Sequence, residues 1–154
     1  MAANRIKIAK DKADLVKALV ASNEKTAPFQ TYVEVLVFAA ALGVKHKKRT
    51  IVEEVSKRDP DPIPQEHFIS RGYDLIIKVL AVTDTKTLSI LSSNDSEVAY
   101  IEIFEEYANG GLEILQSELR GAVDYLERIL LLLNYEGTNK EEKTEEFDLS
   151  KFIN

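Results

Sequence analysis

The sequence predicts a mainly α-helical fold in which an N-terminal ribbon-helix-helix-like element precedes a helical bundle. Three observations predict it. One short period-2 segment opens the chain, two helical patterns follow it between Arg5 and Gly43, and apolar residues at three-and-four spacing run through most of what remains.

The elements follow in order. In the opening strand Ile6 and Ile8 point to one side and Arg5 and Lys7 to the other, because strand side chains alternate faces. Lys12 to Ala21 reads as a helix with Leu15, Val16, Leu19 and Val20 on one stripe and Asp11 as its N-cap. Thr31-Tyr32-Val33-Glu34 is a capping box that starts a second helix, apolar nearly all round from Val33 to Leu42 and stopped by Gly43. The unit of residues 5–43 cannot bury so apolar a helix alone. Thr50-Ile51-Val52-Glu53 repeats the capping-box pattern and predicts a short helix over Ile51 to Lys57. Asp59-Pro60-Asp61-Pro62-Ile63-Pro64 cannot continue it, so residues 59–64 read as a linker or rigid spacer.

Beyond the prolines, Gln65 to Ser70 starts a helical segment, Gly72 interrupts it, and Tyr73 to Val82 carries the stripe Leu75, Ile76, Val79 and Leu80. Val82 to Leu91 reads as loop with room for a helical turn. Asn94-Asp95-Ser96-Glu97 caps a helix over Glu97 to Ala108, with Ile101, Phe104 and Tyr107 inward and Glu102, Glu105 and Glu106 facing water; Asn109-Gly110-Gly111 ends it. The longest predicted helix is Leu112 to Tyr135, striped by Leu112, Leu115, Leu119, Val123, Leu126, Ile129, Leu130 and Leu133, and Gly137 stops it. Its broad Leu130 to Leu133 end is expected to be buried on more than one side, in the core or in an oligomer. The expected organisation is one domain, 1–137, with a charged, flexible acidic tail, 138–154. That tail carries Phe147, Leu149, Phe152 and Ile153, either as stray apolar residues or as a docking peptide.

Charge divides the chain. Met1 to Arg58 holds 12 Lys and Arg against 6 acids, and the remainder 8 against 20, giving a basic front and an acidic back that either meet separate partners or attract each other within the fold. The absence of cysteine excludes disulfides and thiolate metal sites and fits a reducing, cytoplasmic setting. No uninterrupted apolar run is long enough to span a bilayer, Ile129 to Leu133 included, so no membrane role is expected. With only His46 and His67, both isolated, and no glycine-rich phosphate loop after a strand, neither an enzyme nor a cofactor or metal site is expected. The pairs Glu105-Glu106, Glu141-Glu142 and Glu145-Glu146 read as solvated faces. The candidate DNA-contacting residues are Arg5, Lys7 and Lys10 on the strand, Thr31 at the second helix start, and Lys45, Lys47, Lys48 and Arg49 in the basic run after Gly43.

IAKDKADLVKALV, FQTYVEVLVFAAALGVKHKKR, VSKRDP, ISRGYDLIIKVLA and IFEEYANGGLEILQSELRGAVDYLERILLLL, spanning Arg5 to Leu133, resemble the DNA phosphorothioation-associated protein 4 family, found beside Dnd sulfur-modification and restriction genes. The resemblance implies an accessory role in a bacterial defence system that replaces a non-bridging phosphate oxygen with sulfur and attacks unmodified DNA, with other proteins of that system as partners. It transfers no catalytic residue. Residues 5–43 also resemble the small Dnd subunit that binds nicked DNA on a ribbon-helix-helix-like core, and the acidic helical half departs from it. Two functions follow as expectations. One is a homo-oligomeric DNA-binding module in which two copies pair Arg5 to Ala9 as a ribbon, with Asn4, Arg5 and Lys7 facing a groove. The other is a protein-protein adaptor on a larger restriction or modification subunit without direct DNA contact.

Overall fold

The structure, a computed structural model, describes residues 4–22, 25–92 and 96–145. The chain forms two compact units, Met1–Glu118 and Leu119–Asn154. The fold is mainly helical: β1 (Arg5–Ile6), α1 (Ala13–Ala18), α2 (Tyr32–Lys45), β2 (Ile63–Pro64), α3 (Glu66–Ile69), α4 (Asp74–Thr85), α5 (Ser96–Leu119) and α6 (Tyr125–Glu145), with 3-10 turns at Lys10–Lys12 and Leu88–Leu91.

In the first unit Ile6 and Ile8 are buried, as their alternation predicts, but β1 finds its partner in its own chain. It pairs antiparallel with β2, Arg5 opposite Pro64 and Ile6 opposite Ile63. The pairing continues beyond the strands: Ser56 N–H donates to Ile8 O at 2.8 Å and Lys10 N–H to Glu54 O at 2.8 Å. The opposite edge is covered by α5, where the Glu105 carboxylate accepts from Lys7 N–H. Both sides of the ribbon are therefore occupied within one chain, which corrects the expected pairing of two copies through Arg5 to Ala9. The same bonds explain why the capping-box pattern at Thr50 makes no helix. Residues 50–56 instead donate and accept along α5 and β1, with Thr50 N–H reaching Glu106 O at 3.0 Å. Nor is the proline stretch only a spacer, since it supplies β2 and Ser56 Oγ donates to Pro60 O at 2.8 Å.

Helix α1 is shorter than its stripe predicts, ending at Ala18, and Asp11 does not cap it; Asp11 instead pairs with the buried Lys12 ammonium at 3.1 Å. At α2 the capping box forms, with Glu34 N–H donating to Thr31 Oγ1 at 3.2 Å. Glu34 reaches one residue further back than expected and accepts from Gln30 N–H at 2.8 Å. Gly43 does not stop this helix. It closes in a Schellman arrangement four residues on, with Lys48 N–H donating to Gly43 O, Lys47 N–H to Val44 O, and Lys47 itself at φ 53°.

Gly43 has another task, shared with Gly110 and Gly111. A Cβ on Gly43 would stand 2.2 Å from Tyr107 O, on Gly110 2.0 Å from Lys48 O, and on Gly111 1.7 Å from Ala39 O. The glycines let the backbones of α2 and α5 touch, so Asn109-Gly110-Gly111 is the interior of α5 and not its end. From Ile103 to Leu112 every residue of α5 except Tyr107 is buried, which places the core around it: Phe104 meets Phe68 edge to face at 5.6 Å, beside Leu36, Ala39, Ile77 and Leu115 in the buried set. Gly72, at φ 80°, separates α3 from α4 as expected, and α4 runs on to Thr85 before the turn at Leu88. The expected cap at Asn94-Asp95 lies outside the described residues.

The predicted helix from Leu112 to Tyr135 is two helices. Gly121 at φ 76° breaks it after Leu119, and Asp124 Oδ1 accepts from Glu127 N–H to start α6. In the second unit α6 passes through Gly137 to Glu145. Ile129 is buried, while Leu126, Leu130, Leu131 and Leu133 are about half exposed, so of the two expected coverings, core or oligomer, the chain's own core is not the one that encloses this end. The tail's Phe147, Leu149, Phe152 and Ile153 lie outside the described residues.

Candidate functional site

The structure does not gather the residues expected to contact DNA in one place. Arg5 and Thr31 meet in one cleft at the amino end of α2, whereas Lys45, Lys47, Lys48 and Arg49 sit at its carboxyl end, about 21 Å away for a helix of 14 residues. Three of the cations, Arg49, Lys48 and Lys10, have acidic partners in the same chain. Arg49 donates to Asp84 at 2.8 Å and to Glu106 at 2.7 Å while lying over the Tyr107 ring. Lys48 pairs with Glu113 at 3.0 Å, and Lys10 with Glu54 at 3.3 Å. Lys7 is exposed, and its charge acts on Glu105. Lys45 and Lys47 are exposed on the helix exit. Tyr107 donates to Asp84, which with burial raises its pKa.

The cleft at the amino end of α2, about 610 Å³, adds residues that sequence reasoning missed. Arg5, Thr31, Tyr32, His67, Arg71 and the acids Asp59 and Asp61 line it. His67 and Arg71 come from α3 and the turn after it, brought beside Arg5 by the β1-β2 pairing; nothing in their spacing announces this. The cleft mixes signs. Arg5 donates to Pro62 O at 3.1 Å, and Tyr32 donates to Asp59 at 2.6 Å; burial, helped by that bond, pushes the phenol up to about 12. Two of the N–H groups nearest the helix start, those of Gln30 and Glu34, are already satisfied by side chains.

A second cleft, about 590 Å³, lies between Asn4, Arg5 and Lys7 on one wall and Ile101, Glu102, Glu105 and Glu106 of α5 on the other. Glu105 and Glu106 are 7 % and 8 % exposed, which corrects their reading as a solvated pair. Their burial follows from the covering of α5 on nearly all sides, and a helical wheel of one sequence does not contain it. Burial pushes the Glu105 carboxyl up to about 7, against the opposing pull of the Lys7 N–H and its charge. Among the described residues no three His, Asp or Glu side chains gather as a metal-holding group.

Residues 5–152 match the family described as DNA sulphur modification system-associated protein 4. The chain belongs to that family. No curated protein and no solved structure matches it.

Membership ties the protein to a DNA sulphur modification system and, through it, to the other proteins of that system. The match runs past Leu133, where the resemblance read from the sequence ends, through α6 and into the tail. Within this family member part of the charge division of the sequence is met internally. Lys12, Lys17, Lys48 and Arg49 of the basic front pair with Glu113, Asp59, Asp84 and Glu106 of the acidic back. The first unit as a whole carries 15 basic and 18 acidic residues, so the basic front is not a separate basic body. Among the described residues no helix is long and apolar enough to cross a membrane.

Proposed function

We propose that this protein is a non-enzymatic adaptor of the DNA sulphur modification system, docking on a larger protein component. The observation that carries it is the apolar outer face of α4. Leu75 is 65 % exposed and Val79 51 %, four residues apart on one face, with Ile69 before the helix and Leu88 after it exposed as well. Exposed leucines and valines at this spacing suit a protein surface and contribute nothing to a phosphate backbone. The pairing of Arg49, Lys48 and Lys10 with the chain's own acids supports the same function, because those charges would have to be released before they met DNA. Binding of the other purified proteins of the system to the intact chain and to a Leu75→Asp, Val79→Asp variant tests it. Loss of binding by a variant with unchanged helical content is expected. If no system protein binds, or if the variant binds as the parent does, the adaptor function is refuted.

Nucleic-acid binding is the second function, favoured by one arrangement: Arg5, His67 and Arg71 around the amino end of α2. With two arginines on phosphates, log affinity should fall with log salt at a slope of about −1.8. A mobility shift that weakens on salt addition and is lost in Arg5→Ala, Arg71→Ala supports it; absence of a shift at low salt discards it.

A further inference from the structure

Helix α6 carries Leu126, Leu130, Leu133 and Gly137 at four-three-four spacing, the seam of a two-helix coiled coil. The three leucines are 48 %, 54 % and 46 % exposed, whereas Ile129 and Glu136, one step back round the helix, are buried. Leu131 and Tyr135 widen the exposed side. Gly137 is the informative residue. A glycine inside a helix is unfavourable relative to alanine, and for Gly43, Gly110 and Gly111 a touching backbone gives the reason. Around Gly137 a Cβ would meet nothing within 4 Å, so the described residues supply no such reason.

We infer that this seam packs antiparallel against the same seam of a second copy. Leu130 of each chain lies beside the partner's Leu133, and Leu126 seats over the partner's Gly137. The seam fits itself. A two-fold axis between Leu130 and Leu133 sets leucine on leucine in the middle and large on small at both ends, the condition for an interface in which each copy offers the same patch. Four half-exposed leucines and Tyr135 offer on the order of 500 Å² per protomer, against about 800 Å² per partner in a standard-size interface, so the dimer is a reversible one. The inference does not depend on the adaptor function, whose face is on α4.

Light scattering of the full chain over a dilution series tests it. The mass should rise from the 17.3 kDa of one chain towards twice that with concentration. Leu130→Lys should stay at one chain throughout, and Gly137→Leu, which fills the seat of Leu126, should weaken the dimer by about ten-fold or more. Because the chain has no cysteine, an oxidised mixture of Leu130→Cys and Leu133→Cys chains reports the register directly and remains decisive if Leu130→Lys fails to fold. Mixed cross-links in preference to like-with-like ones support the antiparallel seam. A one-chain mass at every concentration, dimerisation of folded Leu130→Lys as in the parent, or like-with-like cross-linking alone overturns it.

Discussion

Replacing Glu105 by Gln should stabilise the protein at alkaline pH and leave it unchanged in acid. Glu105 is 7 % exposed and its carboxylate accepts from Lys7 N–H at the outer edge of β1. Burial lifts its pKa from the ordinary 4.5 to about 7. A carboxyl whose folded pKa lies above its unfolded value binds a proton more tightly in the folded state. Its contribution is therefore fully favourable below about pH 4.5 and is lost as pH rises through about 7. The gap of about 2.5 units corresponds to roughly 3 kcal/mol at most. Gln keeps an acceptor oxygen for Lys7 and carries no charge at any pH. Urea unfolding of parent and Glu105→Gln at pH 4.5, 6 and 8 measures the difference, and comparing the two chains cancels the titrating groups that do not interact with Glu105. The expected advantage of the variant is near zero at pH 4.5 and approaches about 3 kcal/mol at pH 8. A variant less stable than the parent at pH 8, or an advantage that does not grow with pH, would refute the assignment of Glu105 as a buried carboxylate strained by its charge.

Four further substitutions, at three positions, probe the packing of α5 and the end of α2. Gly111→Ala places a Cβ 1.7 Å from Ala39 O and should cost at least about 2 kcal/mol in urea unfolding, because backbone and not a flexible side chain must give way. Asn109 Nδ2 donates to Thr50 O and Ile51 O, so Asn109→Ala should cost about 1–3 kcal/mol, and Asn109→Asp more than that at pH 8, since a carboxylate can only repel those carbonyls. Lys47 occupies the left-handed position of the Schellman turn after α2, and Lys47→Gly should raise stability by up to about 1 kcal/mol, read as a higher melting temperature.

What the sequence by itself determined is local. Alternation at Ile6 and Ile8 decided which side of β1 is buried, the Thr31 hydroxyl decided where α2 begins, and Gly72 decided where α3 parts from α4, because each acts through its own backbone or its nearest neighbours. The family, too, was legible in the wording of the chain. Tertiary structure decided the rest, through bonds between residues far apart in sequence. It paired β1 with β2, held residues 50–56 extended against β1 and α5, and turned Gly110-Gly111 from an expected helix stop into a contact surface for α2. It also gathered the candidate cleft from Arg5, Thr31, His67 and Arg71, and matched basic residues such as Lys48 and Arg49 with acids 35 to 65 residues away. A capping box or a glycine pair states a preference worth about 1 kcal/mol. A backbone packed against it or a buried N–H that must find an acceptor is worth as much or more, and only the folded chain says where those are.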